Sequence, residues 1–259
     1  MRPVSPAADV PSLEAIGPGD FLCIAHRGAA ALAPENTLEA YRAAYASGLR
    51  VLEQDVRLLS DGTLVVVHDE RVDRLTTTVG RVRAFDTEAW RALRFDARPW
   101  PKYATRKDIA LPLFDEVLAE FGGRALLVPE AKDMGSGAPL VDALLAAGIA
   151  REHALVQSFL LDELVPAVAA GYPAIFLTES AVDAIDAVRA AGVTWAGVGH
   201  DAPDAVFRAW IDAGFRTVGY TVDDRAVRDR LRGLGVQGVF SDDPLALLAD
   251  LPTDVRVVR

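Results

Sequence analysis

The chain has 259 residues, of which 51% are hydrophobic and 25% are charged. This composition is typical of a soluble globular protein with a sizeable buried core, and it excludes an intrinsically disordered chain. The formal net charge of −10 at pH 7 argues against nucleic acid as a partner, because lysine and arginine are needed to displace counterions from phosphates. It does not exclude a small phosphate ligand, since a bound metal ion can reverse the sign of the local field.

Residues 1–19 are rich in proline and are predicted to form a flexible lead-in to a single domain over residues 20–259. They contain no apolar stretch long enough for a signal peptide. No later stretch reaches about 18 uncharged apolar residues, the length that indicates a membrane-spanning helix. The sequence therefore predicts a protein without a transmembrane segment and, by default, a cytoplasmic location.

Short β-type segments alternate with alanine-rich helical segments from about residue 21 onward, a pattern that builds parallel sheets from βαβ units. Helical patterns lie at 161–170, 181–191, 203–213 and 224–233. The predicted strands are 21–26, 51–58, 125–131, 154–159, 174–178, 194–199, 217–222 and 238–242. Eight such units favour a closed (β/α)8 TIM barrel over an open sheet. Asn36, with Glu39 three residues on, predicts a side-chain cap at Asn36 for the first helix.

One insertion, at about 59–113, is too long for a simple connection between a strand and a helix. Ser60-Asp61-Gly62 is a tight-turn signal between the β-type runs 56–58 and 64–67, so a β-hairpin is expected to extend the second strand. Residues 70–112 show no clear periodicity. They are interpreted either as a small cap over the barrel mouth or as an ordinary surface loop.

Three carboxylates are predicted to meet at one end of the barrel. Glu53 and Asp55 are two residues apart in the second strand, so their side chains point to the same side, and Glu130 ends the third strand. Acids buried together carry a heavy desolvation cost, whereas Mg²⁺ or Ca²⁺ prefers such oxygen ligands. Lys132, on the same face as Glu130, is interpreted as a contact for a substrate anion or as one half of a buried ion pair.

Two histidines approach the same end of the barrel. His26 ends the first strand, and His68 ends the hairpin strand that follows the second. Histidine exchanges protons near neutral pH, which suits acid–base catalysis, and the neighbouring Arg27 offers a planar fork for phosphate oxygens. His200, after the sixth strand, could enter the pocket mouth but is more simply a surface-loop residue, and His153 lies at the opposite end without a catalytic role.

The motifs that hold these residues follow one another across about residues 23–244. They are His26-Arg27-Gly28, Pro34-Glu35-Asn36-Thr37, Glu53-x-Asp55, Asp61-Gly62 with Val67-His68-Asp69, Glu130-x-Lys132, Gln157-Ser158-Phe159 and Gly238-Val239-Phe240-Ser241-Asp242-Asp243-Pro244. Each motif alone is weak evidence, but the ordered set is specific. In this set the chain resembles the glycerophosphodiester phosphodiesterases, members of the wider group of barrel-type phosphodiesterases.

The resemblance implies a (β/α)8 barrel that hydrolyses a glycerophosphodiester to glycerol 3-phosphate and an alcohol, with one divalent cation, Mg²⁺ or Ca²⁺. The implied residues are Glu53, Asp55 and Glu130 as metal ligands, His26 and His68 as the acid–base pair, Arg27 and Lys132 as phosphate contacts, and Glu35, Asn36 and Tyr220 in the pocket wall. The resemblance leaves open the metal, the head group, which histidine is the acid, and whether a glycerol hydroxyl or water attacks. It sets no oligomeric state.

The chain departs from the family pattern at two functional positions. Pro129 precedes Glu130 in a central strand, where proline cannot donate a ladder hydrogen bond, so this strand is expected to bulge. Tyr220-Thr221-Val222-Asp223 stands where the family usually has Trp-Thr-Val-Asn. An aromatic wall is kept, and the added carboxylate of Asp223 is expected to affect which alcohol group is accepted.

Two rival functions use the same pocket. A lysophospholipase D or a sphingomyelinase-D-like lipid phosphodiesterase would need an apolar groove for an acyl chain, and residues 70–112 are the expected place for it. The other rival is a non-catalytic protein that binds phosphodiesters. The presence of both histidines and all three acids argues against this second rival.

Overall fold

The computed structural model describes residues 10–17, 19–253 and 255–259. The part of the predicted lead-in at residues 1–9, together with residue 18, lies outside them. The strands in the described part of the chain are β1 Phe21–Ala25, β2 Val51–Leu58, β3 Leu64–Val66, β4 Leu126–Ala131, β5 Val156–Ser158, β6 Ala174–Thr178, β7 Trp195–Gly199, β8 Arg216–Tyr220, β9 Gly238–Ser241 and β10 Val257–Val258.

Eight parallel strands close into a barrel, which confirms the predicted fold. They pair in the order β1, β2, β4, β5, β6, β7, β8 and β9, and β9 pairs back with β1. Most of these strands are buried along their whole length, as expected for a parallel sheet with helices on one face and a filled interior on the other. β3 pairs antiparallel with β2 as the predicted hairpin.

The helices are α1 Leu38–Ala46, α2 Thr87–Arg91, α3 Phe114–Phe121, α4 Gly137–Ala146, α5 Leu161–Ala169, α6 Ile185–Ala190, α7 Asp204–Asp212, α8 Arg225–Gly233 and α9 Pro244–Leu248. α6 begins later than the predicted 181–191. The reason is that the backbone of Ala181 is used elsewhere: its N–H donates to Thr178 Oγ1, and its carbonyl accepts from Trp210 Nε1. Within the described residues, no helix is both long and apolar enough to cross a membrane.

The cap of α1 is Thr37, so the prediction of a cap at Asn36 is wrong by one residue. Thr37 has extended backbone angles, and its hydroxyl accepts a hydrogen bond from the N–H of Ala40. Asn36 instead has a left-handed φ of 55°, and its side chain points to a carboxylate on β2. Asn36 therefore does not cap the helix as its local sequence predicts, because its side chain makes a tertiary contact with Asp55 instead.

Pro129 does not cause the expected bulge. β2 and β4 stay in continuous register from Val51 and Leu126 to Val56 and Ala131. The N–H groups of Leu126 and Lys132 donate to the carbonyls of Arg50 and Val56, on the β2 side. Successive N–H groups of a strand point to opposite neighbours, so the donor that Pro129 lacks would face β5. Because β5 pairs with β4 only briefly, the ladder tolerates the proline there.

Part of the predicted flexible lead-in is packed against the barrel. Residues Leu13–Ala15 form a short 3₁₀ helix. Leu13 and Ile16 are buried and join the apolar cluster that fills the barrel interior, together with Leu22 and Leu126. These two residues of the predicted lead-in therefore pack against the barrel, and burying their apolar side chains removes them from water.

The insertion at 59–113 has a small hydrophobic core of its own. Leu75, Val82 and Trp90 are buried in it, and Trp90 Nε1 donates to the carbonyl of Leu111. It carries the short helix α2 and is attached to the barrel through the hairpin. This local core distinguishes the insertion from an unstructured surface loop.

Candidate active site

A cavity of about 180 Å³ opens at the carboxyl ends of the barrel strands, where enzymes of this fold hold their active sites. It brings together most of the site residues predicted from the sequence. The predicted residues that line it are His26, Arg27, Glu53, Asp55, His68, Glu130, Lys132 and Tyr220. No described residue of 70–112 lines this cavity.

Three buried carboxylates form the floor of the site. Strand alternation puts Glu53 and Asp55 on one face of β2, and Asp55 is directly opposite Glu130 on β4. Each residue offers one oxygen, and these oxygens lie within 4.8 Å of one another. Burial, reinforced by the charge of Asp55, raises the pKa of Glu53 well above its usual range, and burial raises the pKa of Glu130 to about 7.

Two cationic side chains face these acids. Lys132 Nζ lies 3.1 Å from Asp55 Oδ1 and 2.9 Å from Glu130 Oε1, so the ion pair that the sequence left as an alternative is present. Arg27 Nε lies 3.4 Å from Asp55 Oδ2. Burial on its own raises the pKa of Asp55, but the cations of Lys132 and Arg27 outweigh it and hold this pKa below its ordinary value.

The donor set fits a hard divalent cation. All three groups are carboxylates, and Mg²⁺ and Ca²⁺ prefer oxygen ligands. The two contacts that Glu53 receives come from neutral donors: the backbone N–H of Arg27 at 2.6 Å and the amide of Gln157 at 3.3 Å. A cation bound here would offset the repulsion between Glu53 and Asp55. These three acids can therefore hold a divalent cation.

Each pocket histidine is held by a carboxylate on its Nδ1. His26 Nδ1 lies 2.7 Å from Asp242 Oδ1, and His68 Nδ1 lies 2.8 Å from Asp69 Oδ1. This arrangement orients both rings and leaves Nε2 of each for proton exchange. Burial lowers the pKa of His68. The sequence reading included both aspartates in motifs but missed this role, although the adjacent pair His68-Asp69 carried a signal for it.

Arg74, from the insertion, was missed entirely by the sequence reading. Its guanidinium makes two contacts of 2.7 Å with the carboxylate of Glu35, and its Nε lies 2.6 Å from Asp69 Oδ2. Glu35 in turn accepts from Arg27 Nη1 at 2.9 Å. Arg74 therefore links the carboxylate that holds His68 to the one that holds Arg27. It lies in a segment without periodicity, so no local pattern could have revealed it.

Glu35 and Asn36 lie behind the pocket wall, not in it, contrary to the sequence expectation. Both are buried and do not line the cavity. Glu35 holds the two arginines described above. Asn36 donates from Nδ2 to Asp55 Oδ2 at 2.7 Å and accepts from the hydroxyl of Tyr41 at 3.0 Å. Their role in the structure is to orient residues that do reach the cavity.

Tyr220 lines the cavity. Its ring makes edge contacts with Phe159 and Phe240. Asp223 does not join it: its carboxylate accepts from the hydroxyl of Ser241 and the backbone N–H of Asp242. The expectation that Asp223 affects the choice of alcohol is therefore not supported, because these bonds turn it toward the loop after β9.

A second, larger cleft of about 560 Å³ adjoins the first and shares Glu179, Tyr220 and Thr221 with it. His200 lines this cleft, so the interpretation of His200 as a surface-loop residue captures only part of its position. His153 is buried at the start of β5, at the other end of the barrel, as expected.

A closed parallel barrel with three clustered acids, two oriented histidines and two cationic side chains combines groups that can hold a cation, exchange protons and bind a phosphate. Residues 26–246 match the profile of the glycerophosphoryl diester phosphodiesterase family. Because this match spans most of the chain, the chain belongs to that family, which confirms the resemblance drawn from the motifs.

Named relatives agree with this assignment. The glycerophosphodiester phosphodiesterase of Bacillus subtilis (strain 168) is 27% identical, over 93% of this chain and 90% of its own length. Among solved structures, an Oleispira antarctica phosphodiesterase in complex with the product sn-glycerol-3-phosphate is 22% identical, with a TM-score of 0.78 over 88% of this chain and 95% of that one. The Thermotoga maritima glycerophosphodiester phosphodiesterase is 24% identical, with a TM-score of 0.69 over 90% and 98%. These two structures share the fold.

Proposed function

We propose that the chain hydrolyses glycerophosphodiesters to glycerol 3-phosphate and an alcohol, with one divalent cation held by Glu53, Asp55 and Glu130. The observation that carries the proposal is the meeting of these buried carboxylates with His26 and His68 in one cavity. Family membership over residues 26–246 supports it. The product bound to the Oleispira antarctica relative supports glycerol 3-phosphate as the product here.

His26 and His68 would act as the acid–base pair. One takes a proton from the attacking hydroxyl, and the other gives a proton to the leaving alcohol. Asp242 and Asp69 hold Nδ1 of the two rings, so Nε2 is the atom that exchanges the proton. Either order of the two histidines, and attack by either water or the neighbouring glycerol hydroxyl, is compatible with this arrangement.

The phosphate would be bound on the cationic side of the cavity. Arg27 and Lys132 line it, and both can donate hydrogen bonds to phosphate oxygens. When bound, Mg²⁺ or Ca²⁺ would offset the negative charge that grows on the phosphate oxygens in the transition state. Glu35 and Asn36 would keep Arg27 and Asp55 in position, and Tyr220 would contact the substrate.

The acyl groove that a lysophospholipase D or sphingomyelinase-D-like activity needs is not found in the expected place, since no described residue of 70–112 lines the catalytic cavity. The small glycerophosphodiester therefore stays the preferred substrate. The cytoplasmic location and the exclusion of nucleic acid stay predictions from the sequence.

The first test is hydrolysis of glycerophosphocholine by the purified protein, followed as glycerol 3-phosphate in a coupled assay. We expect EDTA to abolish the release and added Mg²⁺ or Ca²⁺ to restore it, because the three acids need the cation to act on the phosphate. If no release occurs with any cation, while a micellar lysolipid is turned over, the lipid phosphodiesterase replaces the proposal. Substrate binding without hydrolysis of either would favour the non-catalytic alternative.

The histidines are tested by His26→Ala and His68→Ala. Each change should lower kcat by about a hundredfold or more, because one proton transfer loses its donor or acceptor. Circular dichroism and Tm report whether the fold is kept. His153→Gln serves as the control, since this histidine lies at the other end of the barrel. Near-parental turnover in either alanine variant would remove that histidine from the mechanism.

A further inference from the structure

A second cleft adjoins the catalytic cavity. The two share Glu179 at the end of β6 together with Tyr220 and Thr221 at the end of β8. The cleft, at about 560 Å³, is larger than the catalytic cavity of about 180 Å³. The cleft is therefore the space nearest to a substituent on a phosphate bound among the catalytic residues.

The charge of the cleft is negative. Glu179 and Asp201 line it, and no lysine or arginine is among its lining residues in the described part of the chain. Asp201 lies 3.2 Å from Nε2 of His200, whereas Glu179 makes no ion pair with a cation among the described residues. Arg230 donates to the backbone carbonyl of His200 but also faces Asp204, and it does not line the cleft.

The backbone makes room for the Glu179 carboxylate. A Cβ added at Gly199 would fall 2.7 Å from Glu179 Oε2 and 3.1 Å from its backbone carbonyl oxygen. Any larger residue at 199 would therefore displace this carboxylate. The absence of a side chain on β7 lets Glu179 lie along the wall of the cleft.

The shared wall is aromatic. Phe159 meets the Tyr220 ring edge-on, with a centroid distance of 5.8 Å. The Tyr220 hydroxyl is buried, and the Glu179 carboxylate lies near it. Burial, followed by the nearby Glu179 carboxylate, raises the pKa of this hydroxyl. An aromatic ring beside a carboxylate is a favourable environment for an organic cation.

We propose that this cleft binds the leaving alcohol of the substrate and selects one that carries an ammonium group. The inference rests on the proposed function. Arg27 and Lys132 provide positive charge for the phosphate, and Glu179 provides negative charge on the other side of Tyr220. A zwitterionic substrate, with a phosphodiester and a primary or quaternary ammonium, matches this separation of charge. Glu179 therefore has the role in selecting the alcohol group that the sequence suggested for Asp223.

The test compares kcat/KM for glycerophosphocholine and glycerophosphoethanolamine, which carry an ammonium, with kcat/KM for glycerophosphoglycerol, which does not. We expect the parent protein to prefer the ammonium substrates. Glu179→Gln should reduce this preference by about tenfold, because it removes the charge but keeps the shape. The matched control is Asp186→Asn, which removes an exposed carboxylate on α6 that pairs with Arg189 and should leave the preference unchanged.

Equal kcat/KM for all three substrates in the parent protein would overturn the inference. So would a Glu179→Gln protein with the parental preference. If no substrate is hydrolysed with any cation, the proposed function fails, and the cleft is then tested separately by an NMR titration with choline chloride. Choline binding that is lost in Glu179→Gln would support the cation site, and no choline binding by the parent protein would overturn it.

Discussion

Orientation of the histidines is the main feature of the site at the scale of single residues. Asp69 holds His68, and Arg74 contacts both Asp69 and Glu35. Burial alone raises the pKa of Asp69, but Arg74 and His68 outweigh it and hold this pKa below its ordinary value. Asp69 therefore stays ionised and keeps its contact with His68. Arg74 is a positioning residue, since it acts through these carboxylates.

We predict that Arg74→Gln lowers kcat by about tenfold, the size typical of losing a group that orients an active-site residue. Without the cation of Arg74, Asp69 stabilises protonated His68 more strongly, so the pKa of His68 rises. If His68 is the base, the acidic limb of the kcat/KM profile then moves to higher pH. If His68 is the acid, the alkaline limb moves in the same direction.

The control is Arg71→Gln, because Arg71 pairs with Asp73 on the surface of the same insertion. It should keep the parental kcat and pH profile. An Arg74→Gln protein with an unchanged pH profile would show that Arg74 only supports the fold of the insertion.

The segment between β1 and α1 shows how an element is shaped for the site. Arg27, Gly28, Ala29 and Asn36 all have positive φ, a conformation that L residues other than glycine seldom adopt. A Cβ at Gly28 would lie 2.9 Å from side-chain atoms of both Ala40 and Tyr41, so glycine is required there for close packing. The loop turns sharply, so Arg27 lies beside Asp55. The helix α1 then begins after its cap, Thr37.

We predict that Thr37→Ala lowers the free energy of unfolding by about 1 kcal/mol, because the Ala40 N–H loses its cap acceptor. Urea denaturation followed by circular dichroism measures the change, and Thr37→Ser should recover most of it. Thr77→Ala is the control: Thr77 is exposed, and its loss should change the free energy by less than about 0.5 kcal/mol. Equal effects of the two alanine changes would argue against the cap at Thr37.

Closure of the barrel assembles the site at the scale of the whole molecule. The acids come from the neighbouring strands β2 and β4, whereas His26 follows β1 and its partner Asp242 follows β9. β1 pairs with both β2 and β9, so closure is what brings these groups together. A cation that binds only the closed barrel should therefore stabilise the fold as a whole.

We predict that Mg²⁺ or Ca²⁺ raises the Tm of the protein. At about one hundred times the Kd, binding adds about 2.7 kcal/mol, which corresponds to about 5 °C or more for a chain of this size. Glu130→Gln should lose most of this increase, because one of the three ligands is neutralised. Glu88→Gln, on the exposed face of α2, should keep it. A parent Tm that neither cation changes would contradict the metal site.

The sequence was sufficient to predict the repeating βα units, the hairpin and the main site residues, because each depends on local information. Alternation along β2 is enough to put Glu53 and Asp55 on one face, and the first and second strands of a barrel must be neighbours. The family could be identified for the same reason, since its motifs are short and occur in order. Asp242 and Asp69 belong to motifs in the sequence. That they contact His26 and His68 became evident only from the structure.

Other features depended on the tertiary structure, because they arise from contacts between residues far apart in the chain. Leu13 is buried only because the closed barrel has an open end to fill, and Asn36 leaves its helix because Asp55 lies within reach. Arg74 and Glu179 have no local pattern that marks them. The sequence by itself therefore determined the fold, the family and most of the side chains that line the cavity. The tertiary structure decided which charged groups contact the histidines and Arg27, and that Glu179 lines the cleft beside Tyr220, since distances between separate elements set both.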